Sequence, residues 1–419
     1  MNRLFTSATL SVVGLLVSLA ACAAEKLPLP KSASVLEFAD ARTLFVADSV
    51  GGRIFAYTLD GIPNTSEATD STAFNVLGLG QKLGAALEVS PFAITYNDLA
   101  VHPVTRHAFV SLTVKGAKAP MPAIAKVDLE GNVIVLDLER LEGTSIALDD
   151  KPDDGVSFWR DLPASTFTVT DLDFADGELF VAGLSSGEFA STLRRVAFPF
   201  ESEYASTRIE MFHTAHDQNE TRAPIRAMAV TKLNGELTVV AAYTCTPLVT
   251  VPVASLNDGE RVTGKTIAEL GYGNTPLEVI TFSAMNMEQK REDFVLVINR
   301  EMDADLISFD ALTAAATAEG LNEPVPYLGA TSGVPTTPLP LSGVAQAADQ
   351  DIQFLLTLKR NLDTGDMDLV SYRKGSYMRL SDFVSEYNFP DYAYVEKQDG
   401  ARMFQNLLKM DEGYPDLVR

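Results

Sequence analysis

Residues 100–112 read AVHPVTRHAFVSL. Ala100 and Val101 end one apolar run, and Ala108 opens a second. Pro103 lacks an N–H and fixes its own φ, so it belongs in the turn between them rather than in a ladder. Outward from this turn, His107 begins HAFVSLTVKGAKAPMPAIAKVDL, a β-rich run, a polar turn and another β-rich run. The pattern returns as TLFVADSVGGRIFAYTL from Thr43 and ELFVAGLSSGEFASTLRRVAF from Glu178. It returns again as LTVVAAYTCTPLVTVPV from Leu237, DFVLVINREMDADLISF from Asp293 and QFLLTLKRNLDTGDMDLVSY from Gln353. Aligning Phe45, Phe109, Phe180, Val239, Leu296 and Leu356 gives steps of 64, 71, 59, 57 and 60 residues, a regular internal repeat.

Several repeats are preceded by a further strand and turn, as in TDLDFADGELFV and IRAMAVTKLNGELTVV. A fourth strand follows in places, as in GNVIVLDL. Four-stranded units repeated radially make a β-propeller. The expected fold is therefore all-β, a β-propeller of six four-stranded blades over residues 35–375. A seventh blade is open if residues 60–95 or the C-terminal segment supply one. Helical periodicity is weak before the tail. Residues 376–419 leave the repeat and carry Tyr377, Phe383, Tyr387, Phe389, Tyr392, Tyr394 and Phe404. That aromatic density argues for a segment that closes the ring or covers a face.

The AVHPVTRHAFVSL element resembles the His-Pro strand turn of exported bacterial propellers, the NHL-like, YVTN-like and lactonase-like group. The resemblance implies the fold and says little about activity, because propellers host many functions. Lactonase-type members coordinate calcium with acidic and amide residues around the channel. Asp98, Asp171 and Asn274 are the residues here that could imitate such a set, though no motif fixes them.

Residues 1–21 read as a signal peptide: Met1–Arg3 are weakly basic, and Leu4–Ala21 are mostly apolar and end in small residues. Leu19-Ala20-Ala21-Cys22 resembles the bacterial lipobox, which implies lipidation of Cys22, a lipidated linker over residues 22–34 and anchoring in the outer membrane, facing the periplasm or the cell surface. The alternative is ordinary cleavage after Ala23 or Ala24. The 419 residues carry a formal charge of −23. Such a surface does not bind nucleic acid by phosphate neutralisation, and it contacts a membrane through the lipid alone. Beyond Cys22 the only cysteine is Cys245, so no internal disulfide framework exists.

In a propeller, the strand opening each blade and the turn between its second and third strands meet at one face. Blade openings bring Asn97, Asp98, Asp171, Arg226 and Asn274 there; return turns bring Asp48, Cys245, Asn299, Arg300, Lys359 and Arg360. These residues form a candidate funnel for a ligand. Asp and Asn at such positions also cap neighbouring backbone. Arg226, Arg300 and Arg360 place positive charge inside an acidic molecule and suit an anionic group. Cys245 suits a soft metal or a small buried apolar site. His213 and His216, in HTAHD, would share one side of a helix and are metal candidates with Asp217. His102 and His107 flank a turn on the opposite face. Asp149–Gly155, DDKPDDG, reads as a solvated acidic loop. The sequence has no Gly-x-Ser-x-Gly elbow, no phosphate loop, no His-Glu-x-x-His and one tryptophan, Trp159. The functional expectation is a non-enzymatic binding scaffold for an exported protein or a small anionic ligand. The alternative is a calcium-dependent hydrolase of lactonase type.

Overall fold

The computed structural model describes residues 26–59, 71–116, 119–157, 161–187, 191–244, 247–285, 290–326, 331–341 and 343–375. Cys22, Trp159, Cys245 and the aromatic tail lie outside them.

Four sheets have four strands each. The first joins β1 (Val35–Phe38), β2 (Thr43–Asp48), β3 (Arg53–Thr58) and β9 (Gly143–Ala147). The second joins β5 (Ile94–Val101), β6 (Ala108–Val114), β7 (Met121–Val127) and β8 (Val133–Val135). The third joins β19 (Pro276–Met285), β20 (Arg291–Asn299), β21 (Ala304–Ser308) and β23 (Thr337–Leu339). The fourth joins β24 (Val344–Asp349), β25 (Phe354–Arg360), β26 (Met367–Arg373) and β4 (Asn75–Val76).

The fifth sheet has ten strands. One antiparallel run is β10 (Asp171–Ala175), β11 (Glu178–Leu184), β12 (Ser191–Ala197) and β13 (Ala205–His213). The other is β18 (Arg261–Glu269), β17 (Pro247–Pro252), β16 (Glu236–Tyr243) and β15 (Ile225–Leu233). The expectation of six or seven separate four-stranded blades is corrected: four stand alone, and these two runs are fused. The long outer strands β13 and β18 pair in parallel, Arg208–Met211 against Arg261–Gly264, because each would otherwise present unpaired edge groups. Two short strands, β14 (Gln218–Glu220) and β22 (Ser332–Gly333), pair onto β13 and β18.

The innermost strands touch in the cyclic order β1, β10, β15, β19, β24, β5 and back to β1. That is not chain order. After β3 the chain supplies β4 to the fourth sheet, builds β5–β8, returns as β9 to the first sheet and only then begins β10. Apolar cores seal neighbouring sheets around the ring. Leu99 and Val110 pack with Leu356 and Leu369; Leu44 and Phe55 pack with Phe109 and Ile124.

Second strands such as β6 and β11 are buried on both faces, so they read as continuous apolar runs. Outer β13 alternates, with Thr207, Ile209, Met211 and His213 facing inward. Asp176-Gly177 and Asn234-Gly235 both have positive φ and make the two-residue hairpins β10–β11 and β15–β16. Two helices were not foreshadowed: α1 (Leu79–Leu87) and α2 (Phe309–Thr317), the second begun by Ser308 Oγ accepting from Ala311 N.

Candidate functional site

Four inner strands carry the same local irregularity. Pairing skips one residue between Tyr96 and Asp98, Ile225 and Ala227, Pro276 and Glu278, and Val344 and Gln346. The extra residues are Asn97, Arg226, Leu277 and Ala345. A bulge re-aims the side chain it inserts, and all four border one cavity of about 880 Å³ at the ring's face. Asp98, Asp171, Arg300 and Arg360 border it too. Arg300 follows β20 directly, and Arg360 ends β25, so both reach the cavity from return turns.

Of the other funnel candidates, Asp48, Asn274, Asn299 and Lys359 do not border it, and Cys245 lies outside the described residues. Asp48 is buried and holds backbone: its carboxylate accepts from Lys31 N, Ser32 N and Gly51 N, each at 2.8 Å. Asn274 Oδ1 accepts from Thr275 N at 2.9 Å and Glu301 N at 3.3 Å. Asn299 and Lys359 brace their own blades, through Asp305 and Tyr372. His102 packs a turn as well: its Nδ1 accepts from Val104 N and Thr105 N, and Nε2 lies 2.7 Å from Ala41 O. Asp217 turns the chain with φ +52, and the carboxylate that gathers with the His213 and His216 imidazoles is that of Glu220.

Asp98 and Asp171 do cap neighbours. Asp98 accepts from Leu36 N of the adjoining blade at 2.7 Å and from Leu99 N at 2.8 Å. Asp171 accepts from Met228 N at 2.5 Å and Leu172 N at 2.9 Å, and Asp173 from Val230 N at 2.5 Å. Both oxygens of Asp98 and of Asp171 are thus committed to amides.

Below the mouth, Asp98, Asp171 and Glu278 also border a second cavity of about 320 Å³, joined there by Glu37 and Asp173. With Asp349, which also borders this cavity, six carboxylates line the channel. Burial pushes Asp98 and Asp173 up to about 6. Burial, then repulsion among the group, holds Glu37, Asp171 and Glu278 well above the ordinary carboxylate range. Glu37 and Glu278 were not singled out in the sequence, where VLEF and PLEV read as plain strands. Among the described residues, the metal-ligating atoms that gather in threes within 4.8 Å lie elsewhere, at His213, His216 and Glu220.

At the mouth the charge reverses. Arg226 is deeply placed, its guanidinium 5.9 Å from the Phe167 ring, and its Nε is buried without a hydrogen-bond partner among the described residues. Burial, then the nearby Arg300 charge, lowers its pKa, with Asp171 opposing. Among the described residues neither Arg226 nor Arg300 forms an ion pair with a carboxylate. Arg360 donates to Gly365 O at 2.7 Å. Around these cations the wall is apolar, with Leu162, Phe167, Leu277 and Leu362. Leu162 and Leu362 are 42% and 88% exposed at the rim. Paired guanidiniums in a partly apolar hollow suit a carboxylate or phosphate, which they can hold by charge-assisted, bidentate bonds.

No protein-family model matches this chain, and no curated protein matches it. Solved structures of similar shape include extracellular domains 1–2 of Drosophila semaphorin 1b, at 9% identity and TM-score 0.35, covering 84% of this chain and 86% of that one. A glucose dehydrogenase is similar at 12% identity and TM-score 0.30, covering 82% and 96%. The PQQ-bound aldose sugar dehydrogenase of Streptomyces coelicolor is similar at 10% identity and TM-score 0.33, covering 82% and 94%. Likeness at this level carries no inference about activity; the propeller-like, all-β arrangement rests on the strands themselves.

Proposed function

We propose that this chain is a non-enzymatic binding propeller of six repeat units, exported and held to the outer membrane through a lipid on Cys22. Its mouth takes an anionic group of an exported protein partner. One observation carries the reading: two guanidiniums, Arg226 and Arg300, share a hollow and form no ion pair with a carboxylate among the described residues, in a chain of charge −23. Exposed Leu162 and Leu362 at the rim add the apolar contact that a protein surface offers better than a free ion. In this reading the channel carboxylates hold the ring together, since Asp98 and Asp171 spend their oxygens on backbone amides.

A second reading, a calcium-dependent hydrolase of lactonase type, draws support from the six carboxylates of the channel. Capture from outer-membrane extract with the intact lipoprotein, followed by titration of the recovered partner, tests the first. Replacing Arg226 and Arg300 together by Ala should weaken binding at least about tenfold, about 1.4 kcal/mol. Undiminished binding by the double variant overturns it. A large calcium-dependent rise in melting temperature, reversed by chelator and lost in Asp171→Ala, favours the second.

A further inference from the structure

Away from the channel, the β13–β14 hairpin gathers three groups that the mouth does not use. His213 is the last inward residue of β13. Met211 pairs with Glu220 and His213 with Gln218, so Glu220 is the diagonal neighbour of His213 on the same face. Residues 214–217 turn the chain, and His216 N donates to His213 O at 3.1 Å. That turn lays the second imidazole against the first, ring centroids 3.9 Å apart. The two Nδ1 atoms then lie 2.8 Å and 2.7 Å from Glu220 Oε2 and Oε1. Burial works to raise the Glu220 pKa, but hydrogen bonds from Gln218, His213 and His216 outweigh it and hold the group below its ordinary range.

We propose that His213, His216 and Glu220 form a mononuclear transition-metal site, with zinc as the ion. Two imidazole nitrogens and one carboxylate oxygen are a three-ligand zinc set, at about 2.0–2.2 Å, with water in the fourth position. Calcium is excluded by the nitrogens, because it takes six to eight oxygens. Ligands on a tetrahedron of that size stand about 3.4 Å apart, so donors now 2.7–2.8 Å apart need to spread by about 0.6–0.7 Å. His216 and Glu220 side chains are 40% and 20% exposed, which leaves the ion a way in. Among the described residues His213 Nε2 is buried without a hydrogen-bond partner. Ligation through Nδ1 puts the proton on that Nε2, with no acceptor, and the lack of such an outer-shell partner weakens affinity by about 10–100-fold. A bound ion staples the β13–β14 hairpin.

The test uses the full chain, stripped with chelator and bearing no histidine tag, titrated with zinc chloride by calorimetry, with cobalt(II) absorption as the second readout. The expected result is one ion per chain and a cobalt spectrum typical of low-coordinate nitrogen–oxygen ligation. His216→Ala and Glu220→Gln should each lose more than about 100-fold in affinity, beyond what an outer-shell loss costs. Asp217→Asn should bind as the native chain does. His216 is partly exposed, so unchanged melting of the metal-free His216→Ala chain separates lost ligation from lost fold. Absence of stoichiometric zinc uptake, or uptake surviving in both ligand variants, overturns the proposal.

Discussion

Arg194 has no exposed side-chain surface. Its Nε donates to both oxygens of Asp150, at 2.7 Å and 3.0 Å; its other nitrogens donate to Thr168 O at 3.1 Å and Leu184 O at 2.9 Å. Asp150 also accepts from Tyr204 Oη at 3.1 Å and Ser206 Oγ at 2.8 Å. Tyr204 is pushed up to about 12, by burial first and then by the Asp150 charge, so it stays a neutral donor. Asp150→Ala strands a guanidinium that cannot lose its proton, and removing one partner of a buried pair costs about 3–5 kcal/mol. Arg194→Met instead removes the charge and leaves two carbonyls without this donor, at a cost of about 2 kcal/mol. Asp150 keeps Tyr204, Ser206 and some solvent in that variant. The double variant should then lie close to Arg194→Met, so the coupling in the cycle equals the Asp150→Ala loss, about 3–5 kcal/mol. Urea denaturation of the four proteins at neutral pH measures this. Additive losses, or an Asp150→Ala chain within about 1 kcal/mol of native, would refute the claim that Asp150 compensates the buried Arg194 charge.

Glu278→Gln should raise the melting temperature at pH 8 and change it little near pH 4. A carboxyl held above its unfolded value stabilises while protonated, and that contribution is lost as pH rises through the folded pKa; equal effects at both pH values would count against mutual repulsion in the channel. Cys22→Ala should abolish lipid attachment, leaving an uncleaved precursor or soluble protein. Labelled palmitate entering that variant would remove the anchor from the proposal.

The paired β runs were legible because second strands, buried on both faces, read as unbroken apolar stretches bounded by turn residues. The bulged Asn97 and Arg226 and the turn residues Arg300 and Arg360 were legible as one face because propeller geometry alone groups them. Glu220 was hidden: it meets His213 only through a diagonal across a hairpin, where the HTAHD spacing suggested Asp217 on a helix. Asp150 was hidden inside an acidic loop that reads as solvated, since its partner Arg194 lies in a distant strand. The blade order was hidden too, because β4 is two residues long and β9 ordinary in composition, and only contacts reveal which sheet each completes.

That interleaved order bears on how the chain acquires its shape. Phe74 N, beside β4, donates to Ser371 Oγ across 297 positions of sequence. A polypeptide emerging N-terminus first therefore carries β4 and the whole β5–β8 sheet with one flank bare until its last described strands arrive. Contacts of such long range are slow to form, and exposed strand edges attract other chains meanwhile. Until β24–β26 arrive, the ring stays an open arc. The step that seals it joins an early strand to a late one, so a chain truncated before β26 lacks the strand against which β4 pairs.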